Sequence, residues 1–189
     1  MNHVMIDIET MGTNPNAPIA SIGATFFNPA TGELGEQFYC RVDFENDMLN
    51  GAVPDGSTIK WWLRQSAEAR AELISSDALT PWGAAGKLSD WLTDNADDLK
   101  CLKVWANSPS FDCVILKSAF VRTDTEIPWC FWNEMDVRTI KEIGLNIMGY
   151  VSGTISIGVR HNALDDAINQ AKIVSSVISH LSKNNGGEL

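Results

Sequence analysis

The chain opens with the run HVMIDIETMG at residues 3–12, an apolar segment that two carboxylates interrupt. The apolar residues around Asp7 and Glu9 predict a β-strand over residues 3–9. Side chains two apart in a strand share a face, so both carboxylates project the same way. Like charges in an apolar strand repel each other and resist desolvation unless a cation lies between them. Oxygen ligands favour Mg²⁺ or Mn²⁺ over zinc, and a solvated polar face of an edge strand is the competing interpretation.

Length and composition predict one folded unit. The 189 residues are 44% hydrophobic and 20% charged, which is ordinary for a chain with a full core. We expect a single domain over residues 1–183 and a frayed tail over residues 184–189. No apolar run approaches the roughly 20 residues of a membrane-spanning helix, and no signal peptide is evident, so we expect a cytoplasmic protein without a membrane partner.

The four cysteines lack the C-x-x-C spacing of zinc sites and redox motifs. This spacing argues against a zinc site and against a disulfide framework, and predicts reduced cysteines that mostly pack. They are Cys40, Cys101, Cys113 and Cys130.

The charge limits which nucleic acids the chain can bind. A formal net charge of −10 argues against the extensive basic surface that coats a duplex. An acidic protein can still act on a few nucleotides at a strand end if bound cations supply the positive charge. Five basic residues either converge into a local patch or scatter over the surface, and the sequence leaves both open: Lys117, Arg122, Arg138, Lys141 and Arg160.

The first half of the chain predicts strands followed by helices. Further strands are expected over residues 18–28 and 33–42, joined by an Asn/Pro/Gly turn at 28–32, which gives an antiparallel meander with the first strand. Helices are expected over residues 58–65, over residues 67–74 after a Ser66 cap, and from the Thr80-Pro81 pair to about residue 95.

The second half alternates strands and helices, which predicts parallel pairing. Strands are expected over residues 102–106 and 131–135, a helix from the Ser108-Pro109 pair to about residue 121, and another that Asp136 caps. Residues 144–160 are predicted to be irregular and residues 162–183 to form the longest helix. The whole pattern predicts an α/β fold.

Two further acidic elements accompany the first pair. Asp112 follows the strand predicted at residues 102–106 and lies near a helix N-terminus, where ligands collect in α/β sheets and where the helix dipole alone also favours a carboxylate. His161 precedes the last helix, and Asp166 follows it by five residues. An imidazole beside a carboxylate suits a proton acceptor, although a lone histidine is more often a packing residue.

The motifs Asp7-x-Glu9, Asp112 and His161-x-Ala163-x-x-Asp166 resemble, in order and separation, the DEDDh branch of the DnaQ-like 3′-to-5′ exonucleases. The match spans nearly the whole chain. It implies an RNase H-like fold, in which three antiparallel N-terminal strands and two parallel strands form a mixed five-stranded sheet flanked by helices. With its tryptophan pair at residues 61–62, the chain resembles the small phage, prophage and bacterial exonucleases of the exonuclease VIII-like group more than polymerase proofreading subunits.

The resemblance implies a role for each motif residue. Asp7 would bridge two divalent cations, Mg²⁺ or Mn²⁺, while Glu9 and Asp166 complete one ion's site and Asp112 serves the other. His161 would be the general base, and the products would be nucleoside 5′-monophosphates. Asp165 stands beside Asp166, so a shift of one residue would exchange them; the spacing of the family favours Asp166.

Recognition of the 3′ end is also expected from the resemblance. Thr10 and its backbone would meet the terminal 3′-hydroxyl, and Met11 would pack on the last base, with loop packing as its alternative. Trp61 or Trp62 would stack on bases, but adjacent helical positions point about 100° apart, so at most one faces substrate.

The implied partner is the 3′ end of single-stranded DNA or RNA, with DNA slightly favoured. Two alternatives stay open: an exoribonuclease or oligoribonuclease of the same fold, and a non-catalytic module that binds nucleic-acid ends. The sequence decides neither the sugar nor the oligomeric state, and a homodimer is possible because related nucleases are sometimes dimers.

Overall fold

The computed structural model describes residues 1–74, 76–147, 158 and 161–184. The strands in these residues are β1 (His3–Thr10), β2 (Ile19–Phe27), β3 (Leu34–Arg41), β4 (Lys103–Ala106) and β5 (Glu134–Asp136). The α-helices are α1 (Phe44–Leu49), α2 (Gly56–Trp62), α3 (Ala67–Ala71), α4 (Pro81–Asn95), α5 (Asp112–Arg122), α6 (Val137–Glu142) and α7 (Ala163–Asn184). Among these residues, no helix is both long enough and apolar enough to cross a bilayer.

The strands form one mixed sheet in the order β3-β2-β1-β4-β5. β2 is antiparallel to both β1 and β3, whereas β4 is parallel to both β1 and β5. The predicted mixed five-stranded sheet is therefore confirmed. Because β1, β4 and β5 run in the same direction, their carboxyl ends meet at one edge of the sheet, where ligands gather in α/β folds.

The two faces of β1 pack against different helices. Val4, Ile6 and Ile8 point into the larger apolar cluster, which also contains residues of α4 and α5. Met5 points the other way, into a cluster with Ala167 and other residues of α7. Asp7 and Glu9 share the face of Met5 by strand alternation, so β1 aims both carboxylates toward α7.

A glycine lets α7 lie directly on the sheet. Gly23 of β2 pairs with Asp7 of β1. A Cβ at Gly23 would lie 2.1 Å from the backbone nitrogen of Leu164 and 2.2 Å from the carbonyl carbon of Ala163. Only glycine permits this approach, which brings the first turn of α7 next to Asp7.

Three of the predicted helix starts are confirmed by side-chain caps. The hydroxyl of Ser66 accepts a hydrogen bond from the backbone N–H of Ala69 at 3.2 Å, and the hydroxyl of Thr80 accepts one from Gly83 at 3.2 Å. The carboxylate of Asp136 accepts bonds from the first turn of α6 at 3.1 and 3.2 Å. These caps satisfy backbone donors that the helix itself leaves unpaired.

Several predicted boundaries were wrong and one helix was missed. α2 spans Gly56–Trp62 rather than residues 58–65. β5 lies at Glu134–Asp136 because residues 131–133 form a 3₁₀ turn, and α5 begins at Asp112 after a turn rather than at Pro109. α1 was not predicted, and Asn184 still belongs to α7. Of the predicted irregular segment, Ile143–Ile147 form a π-helical turn, while residues 148–157 and 159–160 lie outside the described part of the chain, as do tail residues 185–189.

Candidate functional site

A cleft of about 410 Å³ opens at the carboxyl ends of β1 and β4, between α6 and α7. It brings together all five residues that the sequence singled out for catalysis. The cleft is lined by Asp7, Ile8, Glu9, Asn107, Phe111, Asp112, Val137, Arg138, Lys141, His161, Asp166, Asn169, Gln170 and Ile173. The neighbouring Asp165 is not among these residues, so the structure favours the assignment of Asp166.

The start of α7 is built to present His161 and Asp166 together. The side chain of Asn162 caps the helix by accepting bonds from the backbone N–H groups of Leu164 and Asp165 at 3.1 and 3.2 Å. His161 has a positive φ of 65°, a conformation that L-residues adopt rarely. In this conformation its own N–H donates to Asp166 Oδ2 at 3.2 Å, which ties the histidine to the carboxylate.

Three side chains form a compact set of possible ligands. One atom each from Glu9, His161 and Asp166 lie within 4.8 Å of one another. His161 Nδ1 lies 3.9 Å from Glu9 Oε1, and the two side chains are 27% and 14% exposed. Together with Asp7 and Asp112, this is an oxygen-rich donor set of the kind that Mg²⁺ and Mn²⁺ prefer, so the residues fit the divalent ions that the motifs imply.

Burial and neighbouring negative charges raise the pKa values of two carboxylates in the cleft. Burial raises the pKa of Asp7 well above its usual range, and the charges of Asp112 and Glu9 raise it further. Burial, followed by the charges of Asp166 and Asp112, raises the pKa of Glu9 to about 8. The acids therefore resist simultaneous ionisation at neutral pH unless positive charge enters the cleft.

Asp112 has mixed surroundings. Burial raises the pKa of Asp112 to about 7, while bonds from the backbone N–H groups of Ile8 and of Asp112 itself, and the charge of Arg138, act in the opposite direction. The side chain is thus held between β1 and the first turn of α5 as a hydrogen-bond acceptor. This placement matches the expected position beside the other acids.

The comparisons with known proteins agree with this geometry. The model of the 3′-5′ exoribonuclease Rv2179c-like domain matches residues 2–178. The chain belongs to this family. An exodeoxyribonuclease of Enterobacteria phage T4 is 27% identical over an alignment of 188 positions. The match covers 86% of this chain and 82% of the phage protein.

Solved structures share the fold at low sequence identity. Cell-death related nuclease 4 (CRN-4) has a TM-score of 0.67 at 15% identity, over 94% of this chain and 64% of that one. The nuclease domain of 3′hExo, a DEDDh family member bound to rAMP, has a TM-score of 0.61 at 16% identity. The match covers 94% of this chain and 92% of that domain. E. coli exonuclease I with a dT13 oligonucleotide scores 0.62 at 15% identity; the match covers 97% of this chain but only 42% of exonuclease I.

The family and the fold confirm the predicted class of enzyme. The chain is a 3′-5′ exonuclease, a phosphodiester hydrolase, and it shares its RNase H-like fold with the DEDDh nuclease domain of 3′hExo. Enzymes of this type use divalent metal ions, which agrees with the donor set of the cleft.

Gln170 is a polar residue of the exonuclease's cleft that was not predicted. Gln170 Nε2 donates to Asp7 Oδ1 at 2.7 Å, whereas Gln170 Oε1 is buried without a donor among the described residues. Gln170 lies one helical turn after Asp166 and so shares its face. The i, i+4 spacing from Asp166 was the available signal, but spacing alone does not tell a polar residue of the cleft from one facing solvent.

The two tryptophans of the exonuclease's pair point in different directions, as adjacent helical positions require. Trp62 is 3% exposed, and its Nε1 donates to the carbonyl oxygen of Thr10 at 2.9 Å. Trp61 is 41% exposed, and its ring centroid lies 4.8 Å from that of His161 at an interplanar angle of 83°. Trp61 therefore stands beside the imidazole, while Trp62 fixes the end of β1.

The residues expected to meet the 3′ end are packed in this structure. The Thr10 hydroxyl is buried and donates to the carbonyl oxygen of Gly12 at 2.6 Å. Met11 is 7% exposed and packs with Trp62 and Ala69, as its loop-packing alternative requires. Thr10, Met11 and Trp61 do not line the cleft, so their contacts with substrate stay predictions.

Proposed function

We propose that the chain removes nucleotides one at a time from the 3′ end of single-stranded nucleic acid and releases nucleoside 5′-monophosphates. The observation that carries this proposal is the convergence of Glu9, His161 and Asp166 within 4.8 Å, beside Asp7 and Asp112 in one cleft. A module that only binds ends has no need for four carboxylates in one cleft, where burial and neighbouring negative charges raise the pKa values of Asp7 and Glu9.

The four acids would hold two divalent cations, Mg²⁺ or Mn²⁺. When bound, such ions neutralise the phosphate and stabilise the attacking and leaving oxygens. Asp7 would be the central ligand because it neighbours both Glu9 on its own strand and Asp112 on α5. Gln170 donates to one oxygen of Asp7 and leaves the other free for a cation.

His161 would act as general base. Its backbone N–H is fixed on Asp166, and its ring lies between the Glu9 carboxylate and Trp61. A neutral imidazole in this position can accept a proton from a water that attacks the terminal phosphodiester.

Single-stranded DNA is the proposed substrate, which the name of the phage T4 relative supports. The description of the family as exoribonucleases favours RNA as the second candidate. The sugar is decided by degrading 5′-labelled DNA and RNA of one sequence in parallel with Mn²⁺ or Mg²⁺, with EDTA as control. Faster shortening of the DNA supports the first candidate, and faster shortening of the RNA replaces it with the second.

The same gel assay tests the site. Asp7→Ala and Asp166→Ala are expected to abolish the ladder from the 3′ end, and His161→Ala is expected to slow it strongly with metal binding nearly intact. Asp165→Ala is the matched control, since Asp165 does not line the cleft, and it should retain activity. Internal cuts, or full activity of the Asp166 variant, would contradict the proposal.

A further inference from the structure

The cleft has a basic wall that the proposed chemistry does not use. Arg138 and Lys141 lie three residues apart on α6, and both line the cleft opposite α7. Residues spaced this way are neighbours on one helix face, about 5–6 Å apart at Cβ. Apart from His161, they are the only basic side chains among the described residues that line the cleft.

Two other basic residues considered in the sequence already have acidic partners. Arg122 binds Asp47 at 2.9 Å, and Lys117 binds Glu134 at 2.7 Å. Of the five basic residues considered in the sequence, Arg160 lies outside the described part of the chain. Of the five basic residues considered as a possible patch, Arg138 and Lys141 are therefore the two that can form one at the cleft.

Arg138 and Lys141 are both exposed, and neither forms a salt bridge with a carboxylate within the described ranges. Arg138 is nevertheless anchored, because its Nε donates to the carbonyl oxygen of Asn107 at 3.2 Å, just beyond β4. The start of α6 is fixed by the Asp136 cap. The two cations thus stand on a capped helix at the cleft, where both are exposed to a ligand.

The chemistry of a 3′ exonuclease decides which phosphates they can reach. The terminal nucleotide is joined through one phosphate, the scissile one, and carries only a free hydroxyl on its 3′ side. Every additional phosphate must lie on the 5′ side. A second or third phosphate bound in the cleft therefore reports the direction in which the strand runs.

We propose that Arg138 and Lys141 bind the two backbone phosphates immediately 5′ to the scissile phosphate, so that the strand enters the cleft along α6. The inference rests on the proposed function and extends it to the polarity and minimum length of the substrate. A guanidinium pairs bidentately with phosphate oxygens, and an ammonium acts as a point charge. In a chain of net charge −10, two such contacts carry much of the attraction for the strand.

The test compares substrates that differ in the number of phosphates. Wild type, Arg138→Ala, Lys141→Ala and the double variant are assayed on a dinucleotide, which has only the scissile phosphate, and on a pentanucleotide of the same type. In a second pentanucleotide, the two linkages 5′ to the scissile one are uncharged methylphosphonates. Lys100→Ala is the control, since Lys100 precedes β4 and lies at the opposite edge of the sheet.

The double variant is expected to raise KM for the pentanucleotide about tenfold, which corresponds to about 1.4 kcal/mol, with kcat nearly unchanged. KM for the dinucleotide should not change. On the methylphosphonate substrate, wild type and double variant should have the same KM. The slope of log affinity against log salt should fall by about 0.7 for each lost contact with a single strand.

If the wild type is active, two results would overturn the inference. An equal rise in KM on dinucleotide and pentanucleotide would place the cations at the scissile phosphate, and no rise on either would remove them from substrate binding. A wild type that shortens no substrate refutes the proposed function first, and the inference falls with it. Thermal melting checks that the exposed-residue variants remain folded.

Discussion

Replacing Gly23 by alanine is expected to displace the start of α7 and slow hydrolysis, although Gly23 touches no substrate. The added Cβ would lie 2.1 Å from the nitrogen of Leu164, 2.2 Å from the carbonyl carbon of Ala163 and 2.4 Å from its oxygen. All three atoms belong to backbone, so no side-chain rotation relieves the contact. The strand and the helix must move apart.

The size of the movement follows from these distances. Ordinary contacts of a Cβ begin at 3.4 Å, so clearing a 2.1 Å approach moves the first turn of α7 by about 1 Å. That turn carries Asp166 and follows His161, whereas Asp7 stays on β1 opposite Gly23. A misplacement of about 1 Å in a catalytic constellation can cost about 100-fold in rate. Overpacking is expected to lower the free energy of unfolding by about 1–3 kcal/mol.

The assay combines kcat on a single-stranded oligonucleotide with urea unfolding. Gly86→Ala is the matched control, because a Cβ at Gly86 of α4 meets nothing within 4 Å. Alanine in a helix interior is better than glycine by about 0.5–1 kcal/mol, so the control should be slightly more stable and equally active. A Gly23→Ala variant with the kcat and stability of wild type would refute the idea that this close approach positions Asp166.

Two further predictions concern the acids. Gln170→Leu removes the donor to Asp7 Oδ1 and is expected to weaken Mn²⁺ binding at least about tenfold by calorimetry; unchanged affinity would show that Gln170 does not hold Asp7. In the metal-free protein, the pKa values of Glu9 and Asp112, about 8 and about 7, lie above their ordinary values of 4.5 and 3.8. The folded state therefore binds more protons than the unfolded state between these limits, and its stability falls as pH rises from about 4 to 8. Melting temperature should drop from pH 5 to pH 8 without metal, and Mn²⁺ should raise it more at pH 8; a flat profile would contradict the pKa values.

The elements that could be predicted from sequence are those with local signals. The Thr80-Pro81 pair marked the start of α4, and Asp136 marked that of α6, because cap chemistry depends on residues within one turn. The meander of the first three strands followed from strand composition and an Asn28 turn. Parallel pairing of β5 with β4 followed from the helix that separates these two strands.

The missed helix depends on distant residues. α1 is short, and six residues carry too weak a periodic pattern to stand out. Its Asp47 is 2% exposed and is held by Arg122, which lies 75 residues away in sequence. No local pattern reveals such a pair, because the partner is supplied by the folded topology.

The site shows the same division between local and long-range signals. Asp7, Glu9 and the His161–Asp166 spacing were recognisable because each motif lies within one element. The role of Gln170 was not, because it depends on a contact between residues 163 apart in sequence. The exposed position of Trp61 also needed the structure, since either member of the pair satisfied the helical pattern.

The acids of the cleft are subject to two opposing effects, electrostatic repulsion between them and backbone packing that holds them together. Burial and mutual repulsion favour the protonated forms of Glu9 and Asp7. Without a metal ion, it is therefore unfavourable to ionise both side chains near neutral pH. The fold nevertheless holds these groups together through rigid backbone contacts at Gly23 and the capped start of α7. Since packing holds the acids in place, we expect divalent cations to relieve the repulsion between them without reorganising the site. Preorganisation of this kind makes the affinity for cations and the rate of phosphodiester hydrolysis depend on the same sub-ångström contacts, so a backbone displacement at Gly23 should weaken both together.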